Sequence, residues 1–341
     1  MNQNSELFGS IYFIGDFNIL NINKGICMKK WLQEHLICPE CLDSQTALTL
    51  EIQEEHNDDI LEGTLNCPGC GSRYLIQEGV AVIVPQKTLP HTKGHTTYNS
   101  QSMMSAYLWS HYSEFFNGPD ATDAYRKWAS YFKQTDGWAL DIGCSVGRLS
   151  FELSKTHTYV IGVDTSLSFI KKARQLLSDK KLEFDLIVEG HITEERECEL
   201  DPEYDYNATE FIVADALALP FRSDLFATAA SVNILEKLPD PIQHLKEVNR
   251  ILQKEQANFL FSDPFSWDES VSSPDLWISG RNKGPGKGRG MDNICQLIKG
   301  ENNVFDPGFI IQEKGDVLWK IRKTQNLWEH ITSQFVIGKR D

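Results

Sequence analysis

The ten residues LDIGCSVGRL, 140 to 149, constrain the fold of this chain more than any other stretch. An apolar run beginning at Trp138 meets two glycines, Gly143 and Gly147, and passes at Arg148 into RLSFELSK, whose apolar spacing has the helical period. A strand that turns through glycine into a helix brings backbone close to a ligand, because glycine adopts conformations that a Cβ forbids. A two-glycine turn is weak evidence alone, so the flanking pattern has to decide. Strand-like and helical runs alternate after it. Tyr159 to Asp164 reads as a second strand with a helix near 167–178, and Phe211 to Asp215 as a third strand. Ala227 to Asn233 is a fourth, a helix runs from Pro241 to Leu252, and Asn258 to Asp263 is a fifth strand. Two amphipathic helical stretches, from Ser102 and from Ala121, precede the turn. This alternation predicts a doubly wound parallel sheet with its ligand at the carboxyl ends of the strands.

Acidic residues fall where a nucleoside needs them. Asp164 closes the second strand about 20 residues past the turn, where a carboxylate accepts ribose hydroxyls, and Thr165 follows it. Asp215 and Ala216, in ADALALPF, stand beside a short loop suited to an adenine edge, and Asp141 precedes the turn. A dinucleotide site prefers G-x-G-x-x-G, so that pyrophosphate touches backbone at the helix start. Here the turn is G-C-S-V-G without a third glycine at the required spacing, and Asp141 suits a cation such as a sulfonium.

DIGCSVGR, VIGVD, ADALALPF and SVNILEKLPDPIQHLKEVNRIL, in that order, resemble the motifs of class I S-adenosylmethionine-dependent methyltransferases across most of residues 98–341. The resemblance implies that Gly143, Cys144 and Gly147 shape the turn under the methionine moiety. It also implies that Asp164 with Thr165 holds the ribose, and that Asp215 and Ala216 flank the adenine. Asn233 ends the fourth strand beside the expected methyl position. AYLWSHY, NILEKLPDP, SDPFSWDESVSSPDLWISG and the tail EKGDVLWKIRKTQNLWEHITSQF further resemble the C-terminal domain of ovothiol-forming enzymes. That likeness implies N-methylation of a small imidazole substrate of the mercaptohistidine type. Asn233 is then the residue expected to orient the acceptor, with Tyr112 beside it. His111, Trp267 and Trp277 are candidate walls, and Arg322 a candidate partner for a substrate carboxylate. Tyr112 and the tryptophans have a core alternative, since aromatics in amphipathic patterns usually face inward.

Eight cysteines occur, and four form two knuckles, Cys38-Pro-Glu-Cys41 and Cys67-Pro-Gly-Cys70. Doubled C-x-x-C pairs around strand-like segments are the usual frame for four thiolates on one zinc ion. Ligands from the protein at all four positions imply a structural metal, since a catalytic zinc keeps one position open. LICPEC, LNCPGCGSRY and EGVAVIVP resemble Trm112-like zinc ribbons, which implies a partnership with methyltransferases. The expected architecture is therefore α/β: a mostly parallel, seven-stranded Rossmann-like sheet over residues 98–341 with a small zinc ribbon at 28–90. Residues 1–27 read as an appended extension, and the stretch from Pro85 to Thr97 as a linker.

A formal net charge of −15 and a pI near 5.1 argue against a polyanion as the main partner. A nucleic-acid methyltransferase and a non-catalytic scaffold are the rival readings. No apolar run is long enough for a bilayer, and no secretory signal opens the chain. A cytoplasmic monomer or homodimer with no membrane partner is expected. The glycine-rich, basic stretch 280–290 reads as a lid or a surface loop, and the acidic insertion from Glu183 to Glu210 as a hairpin beside the cofactor cleft.

Overall fold

The computed structural model describes residues 27–57, 59–86, 100–116, 118 and 120–341. The extension and the linker residues 87–99 therefore lie outside the described residues, apart from Cys27. A short helix α1 (Lys30–Gln33) leads into the strands β1 (Thr49–His56), β2 (Asp59–Asn66), β3 (Arg73–Gln77) and β4 (Val80–Ile83). Helices α2 (Gln101–Tyr112) and α3 (Ala124–Ala129) follow. The alternating part comprises β5 (Trp138–Ile142), α4 (Arg148–Leu153), β6 (Tyr159–Asp164) and α5 (Leu167–Asp179). A hairpin, β7 (Lys181–Glu189) with β8 (Ile192–Glu199), is inserted before β9 (Thr209–Ala214). Then come β10 (Thr228–Val232), α6 (Pro241–Ile251), β11 (Asn258–Asp263), α7 (Gly290–Ile298), β12 (Ile310–Arg322) and β13 (Trp328–Lys339).

Local chemistry sets the helix starts. Ser166 caps α5 through its Oγ, which accepts from Phe169 N at 3.3 Å. Asp240 does the same for α6 at Gln243 N, 2.9 Å, with Pro241 opening the helix at a position where its missing N–H costs nothing. Strands β5, β6, β9 and β10 are buried on both faces, as parallel strands sandwiched between helices must be.

The expected seven-stranded sheet is present as part of something larger. One sheet of eleven strands runs β1-β2-β3-β4-β9-β6-β5-β10-β11-β13-β12. Strands β9, β6, β5, β10 and β11 are parallel, while β13 and β12 add an antiparallel end. The ribbon supplies the other four strands. It is not a separate small body, because Val82 and Ile83 of β4 pair in parallel with Val213 and Ala214 of β9. The joint is reinforced on both sides. Lys29 N donates to Glu210 Oε2 at 2.7 Å, and Trp31 packs its ring on Trp138 and Tyr159 at 5.4 and 4.6 Å. Ribbon and sheet residues accordingly share one hydrophobic core, which runs from Leu32 and Ile76 to Phe261.

The acidic insertion forms the expected hairpin, but against α2, where Ser105 Oγ accepts from Ile187 N at 3.1 Å. None of its strand residues lines the main cleft. The basic glycine stretch is an ordered loop closed on itself, with Gly280 N bonded to Gly288 O and Arg281 N to Gly286 O. It too contributes no residue to the cleft lining. No helix among the described residues is long and apolar enough to cross a membrane.

Candidate active site

The carboxyl ends of β5, β6, β9 and β10 open onto a cleft of about 960 Å³. Its floor is the turn after β5. Gly143 and Gly147 have φ of 77° and 84°, and Ser145 between them has φ of 50°. The glycines are required twice over. A Cβ on Gly143 would lie 2.3 Å from Ile234 Cγ2, and one on Gly147 would lie 2.6 Å from Phe211 Cζ. Gly147 also supplies the N-terminal cap residue of α4 and sits behind the turn rather than in the cleft wall. Gly143 N and Cys144 N both donate to Val163 O, at 2.8 and 3.0 Å, which ties the turn to the end of β6.

Asp164 holds this geometry from the side. Its Oδ2 accepts from Ser145 N at 2.9 Å and its Oδ1 from Ser166 N at 2.8 Å. At the next strand end, Asp215 Oδ1 accepts from Leu217 N at 2.8 Å and shapes the loop that continues through Ala216. Asp141 lies under the turn, buried, with Ser150 Oγ donating to it at 2.7 Å. Burial pushes its carboxyl up to about 7, because the charged form has lost its water.

The far end of the cleft is walled by Tyr107, His111, Tyr125, Phe169 and Trp319. His111 Nε2 and the Tyr125 hydroxyl are 2.7 Å apart, and their rings stack at 4.3 Å. Burial holds the His111 imidazole well below its ordinary range, so the ring is neutral at pH 7.

The structure brings Asp141, Gly143, Cys144, Asp164, Thr165, Asp215, Ala216, Asn233 and His111 together around one cleft. Four other expectations are corrected. Tyr112 is fully buried with its hydroxyl donating to Val146 O at 2.8 Å, so it braces the turn from behind. Phenylalanine there should cost about 1 kcal/mol of stability by orphaning that carbonyl. A thermal melt of Tyr112→Phe checks this; a collapse of cofactor binding in a protein that still melts normally would return Tyr112 to the site. Trp267 and Trp277 stack on each other at 5.8 Å and bond to Ser279 and Ser272; neither lines the cleft itself, although Asp268, Ser270 and Val271 between them do. Arg322 lines a different hollow, with its guanidinium 5.6 Å from the Trp328 ring. Sequence reasoning missed Tyr107, Tyr125, Trp319 and Ser145. Only Ser145, inside the quoted turn, carried a local signal.

The four knuckle thiols also converge. Cys38, Cys41, Cys67 and Cys70 have sulfurs within 4.8 Å of one another, with Cys38 to Cys70 at 3.6 Å and Cys41 to Cys67 at 3.9 Å. Tetrahedral zinc with Zn–S bonds near 2.3 Å needs sulfurs about 3.8 Å apart, so the donor set fits. Gly71 takes φ of 78° after the second knuckle, and Tyr74 Oη stands 3.2 Å from Cys38 Sγ.

Residues 140–259 match a family model described as a methyltransferase domain. No curated protein sequence matches the chain. Among solved structures, a S-adenosylmethionine-dependent methyltransferase from Methanosarcina mazei is 20% identical with a TM-score of 0.40, covering 62% of this chain and 95% of that one. A complex of the Haloferax volcanii Trm112 methyltransferase activator with a methyltransferase gives 14% identity and a TM-score of 0.40, covering 68% and 96%. Phosphoethanolamine N-methyltransferase 2 from Haemonchus contortus, with S-adenosylmethionine bound, gives 18% and 0.43, covering 72% of this chain and 48% of that one. All three likenesses are distant. The matched domain spans the glycine turn, both acidic strand ends and the strands that carry them, and it defines an enzyme of the methyltransferase class.

Proposed function

We propose that the enzyme methylates a ring nitrogen of a small imidazole substrate of the mercaptohistidine type, and that the ribbon holds one structural zinc ion. The observation that carries the acceptor reading is the far wall of the cleft. Tyr107, His111, Tyr125 and Trp319 give that wall aromatic and uncharged groups, which suit a flat ring better than a phosphate chain. The chain's net charge of −15 supports the same choice.

In this reading the methyl donor is S-adenosylmethionine: the Gly143–Ser145 turn would hold its methionine end, Asp164 its ribose, and Asp215 with Ala216 its adenine. The donor would supply a methyl group on a sulfonium, and the acceptor nitrogen's lone pair would take it in line, the carbon–sulfur electron pair remaining with a neutral thioether. The methylated ring then loses its N–H proton to solvent. A neutral imidazole nitrogen needs no strong base, so alignment and exclusion of water are the protein's main contributions. The four thiolates of the ribbon leave zinc no open position, and the metal takes no part in the transfer.

Asp141 gives the reading a pH signature. With its carboxyl raised from 3.8 to about 7, the free protein keeps a proton there that the unfolded chain has lost. Stability therefore falls as pH rises from about 4 to about 7. Cofactor affinity runs the other way, since a cationic ligand favours the ionised carboxylate. Below pH 7 the affinity for S-adenosylmethionine should drop by up to tenfold per unit, with a proton released on binding. Calorimetry in buffers of different ionisation enthalpy measures that release. Affinity independent of pH in the wild type, or the same pH dependence in Asp141→Asn, would remove Asp141 from the cofactor site.

A further inference from the structure

Four residues that line the cleft carry a buried polar atom without a hydrogen-bond partner: His111 Nδ1, Asn233 Nδ2, Ser145 Oγ and Trp319 Nε1. His111 is 5% exposed, on the cleft wall, with Nε2 engaged by Tyr125 and Nδ1 buried without a hydrogen-bond partner. Its ring cannot turn to find one. It is stacked on Tyr125 at 4.3 Å, flanked by Tyr107 at 5.9 Å, and edged by Trp319 at 6.4 Å. Asn233 is the second case. It closes β10 in the left-handed region, φ 57°, and its Oδ1 accepts from Ser333 Oγ at 2.7 Å. That bond orients the amide and leaves Nδ2 buried with no partner, on the wall of the same cleft. A buried polar group without a partner costs about 1–3 kcal/mol, so their gathering in one cleft needs an explanation, and His111 and Asn233 are the two whose side chains a second bond already orients.

We infer that His111 and Asn233 together read the methyl acceptor: Asn233 Nδ2–H donates to an electron-rich substituent on a planar ring, and His111 Nδ1 accepts that ring's N–H. This inference rests on the imidazole reading above and sharpens it. It names the substrate class as a small heteroaromatic ring with an N–H and an acceptor substituent such as a thiolate, the attacking nitrogen being a third position left unbonded. The inference requires the tautomer in which Nε2–H donates to the Tyr125 oxygen, one of the two that the 2.7 Å contact allows, because it leaves a lone pair on Nδ1. Hydrogen bonding from the substrate N–H to that lone pair strengthens as the ring gains positive charge during methyl transfer. It also rejects rings methylated at that nitrogen, since the buried Nδ1 would again lack a partner.

The test uses imidazole-4-thiol as the probe and the full-length protein saturated with S-adenosylhomocysteine. Glutamine at 111 sets its amide where Nε2 stood and keeps the Tyr125 contact, while asparagine sets its amide where Nδ1 stood. The expected result is that His111→Gln binds the probe at least tenfold more weakly with S-adenosylhomocysteine affinity within twofold. His111→Asn should recover part of the loss, and with turnover the defect should lie in KM for the probe more than in kcat. Probe binding by the wild type that His111→Gln leaves unchanged overturns the pair alone. No probe binding by the wild type, with S-adenosylhomocysteine still bound, overturns the imidazole reading and the pair with it. A loss in His111→Gln that Asn fails to relieve, accompanied by a lowered melting temperature, makes His111 a packing residue and also defeats the inference.

Discussion

Replacing Asp164 with alanine should weaken S-adenosylmethionine binding by at least a hundredfold while the protein stays folded. The carboxylate has two functions at once. It fixes the turn by accepting from Ser145 N and Ser166 N at 2.9 and 2.8 Å, and in the proposed complex it accepts the ribose hydroxyls. Hydrogen bonds to a charged group contribute about 1.5–3 kcal/mol each, so losing the ribose contacts alone accounts for about a hundredfold. The turn loses a second anchor in the same change, because Ser145 is held at φ 50°, a conformation that a serine adopts only under local constraint. Asparagine should give an intermediate result, since its carbonyl oxygen accepts one N–H and its amide nitrogen accepts none. Isothermal titration with a parallel thermal melt checks both variants. Full affinity in a folded Asp164→Ala protein would mean that the nucleoside lies elsewhere.

Cys38→Ser should reduce zinc from one ion per chain to near none and lower the melting temperature by about 10 °C, a loss of a few kcal/mol in a chain of this size. The effect is expected to be large because the ribbon has no independent boundary. Cys38 is fully buried, and its N–H is bonded to Thr46 O at 2.8 Å. Its neighbour Ile37 donates to Pro220 O at 3.0 Å, in the loop that begins with Asp215 and Ala216. Strand β4 then pairs with β9, the strand that carries that loop. Loosening the knuckles therefore unpins the adenine end of the cleft, and cofactor affinity should fall with metal content. Metal analysis and melting of the variant test this. Unchanged zinc in purified Cys38→Ser would overturn the metal assignment, and an unchanged melt after complete metal loss would overturn the coupling.

The alternating half of the fold was legible because its signals are local. The strand at Tyr159–Asp164, the helix at Leu167–Asp179 and the helix opened by Pro241 each have their own periodicity and caps. The glycine turn and its following acids were legible for the same reason, as was the spacing of the cysteines. The continuity of ribbon and sheet was not. It depends on backbone pairing between Val82–Ile83 and Val213–Ala214, two apolar runs far apart in sequence with nothing to mark them as partners. The aromatic wall of the cleft was hidden by a similar distance, since Tyr107 and His111 come from α2, Tyr125 from α3 and Trp319 from β12. Of the neighbours His111 and Tyr112, both predicted for the site, only His111 lines the cleft. Adjacent positions on a helix point about 100° apart, so His111 faces the cleft while Tyr112 turns to Val146. Trp267 and Trp277 were misread because two aromatics in one loop satisfy each other as readily as they line a pocket.

The most direct measurement is methyl transfer itself: the purified protein incubated with methyl-labelled S-adenosylmethionine and 5-mercaptohistidine, the products separated by mass and the labelled atom located by NMR. The account predicts label on a ring nitrogen and one equivalent of S-adenosylhomocysteine per methyl transferred. Binding of S-adenosylmethionine with no label reaching the imidazole, or label on sulfur instead of nitrogen, would contradict it.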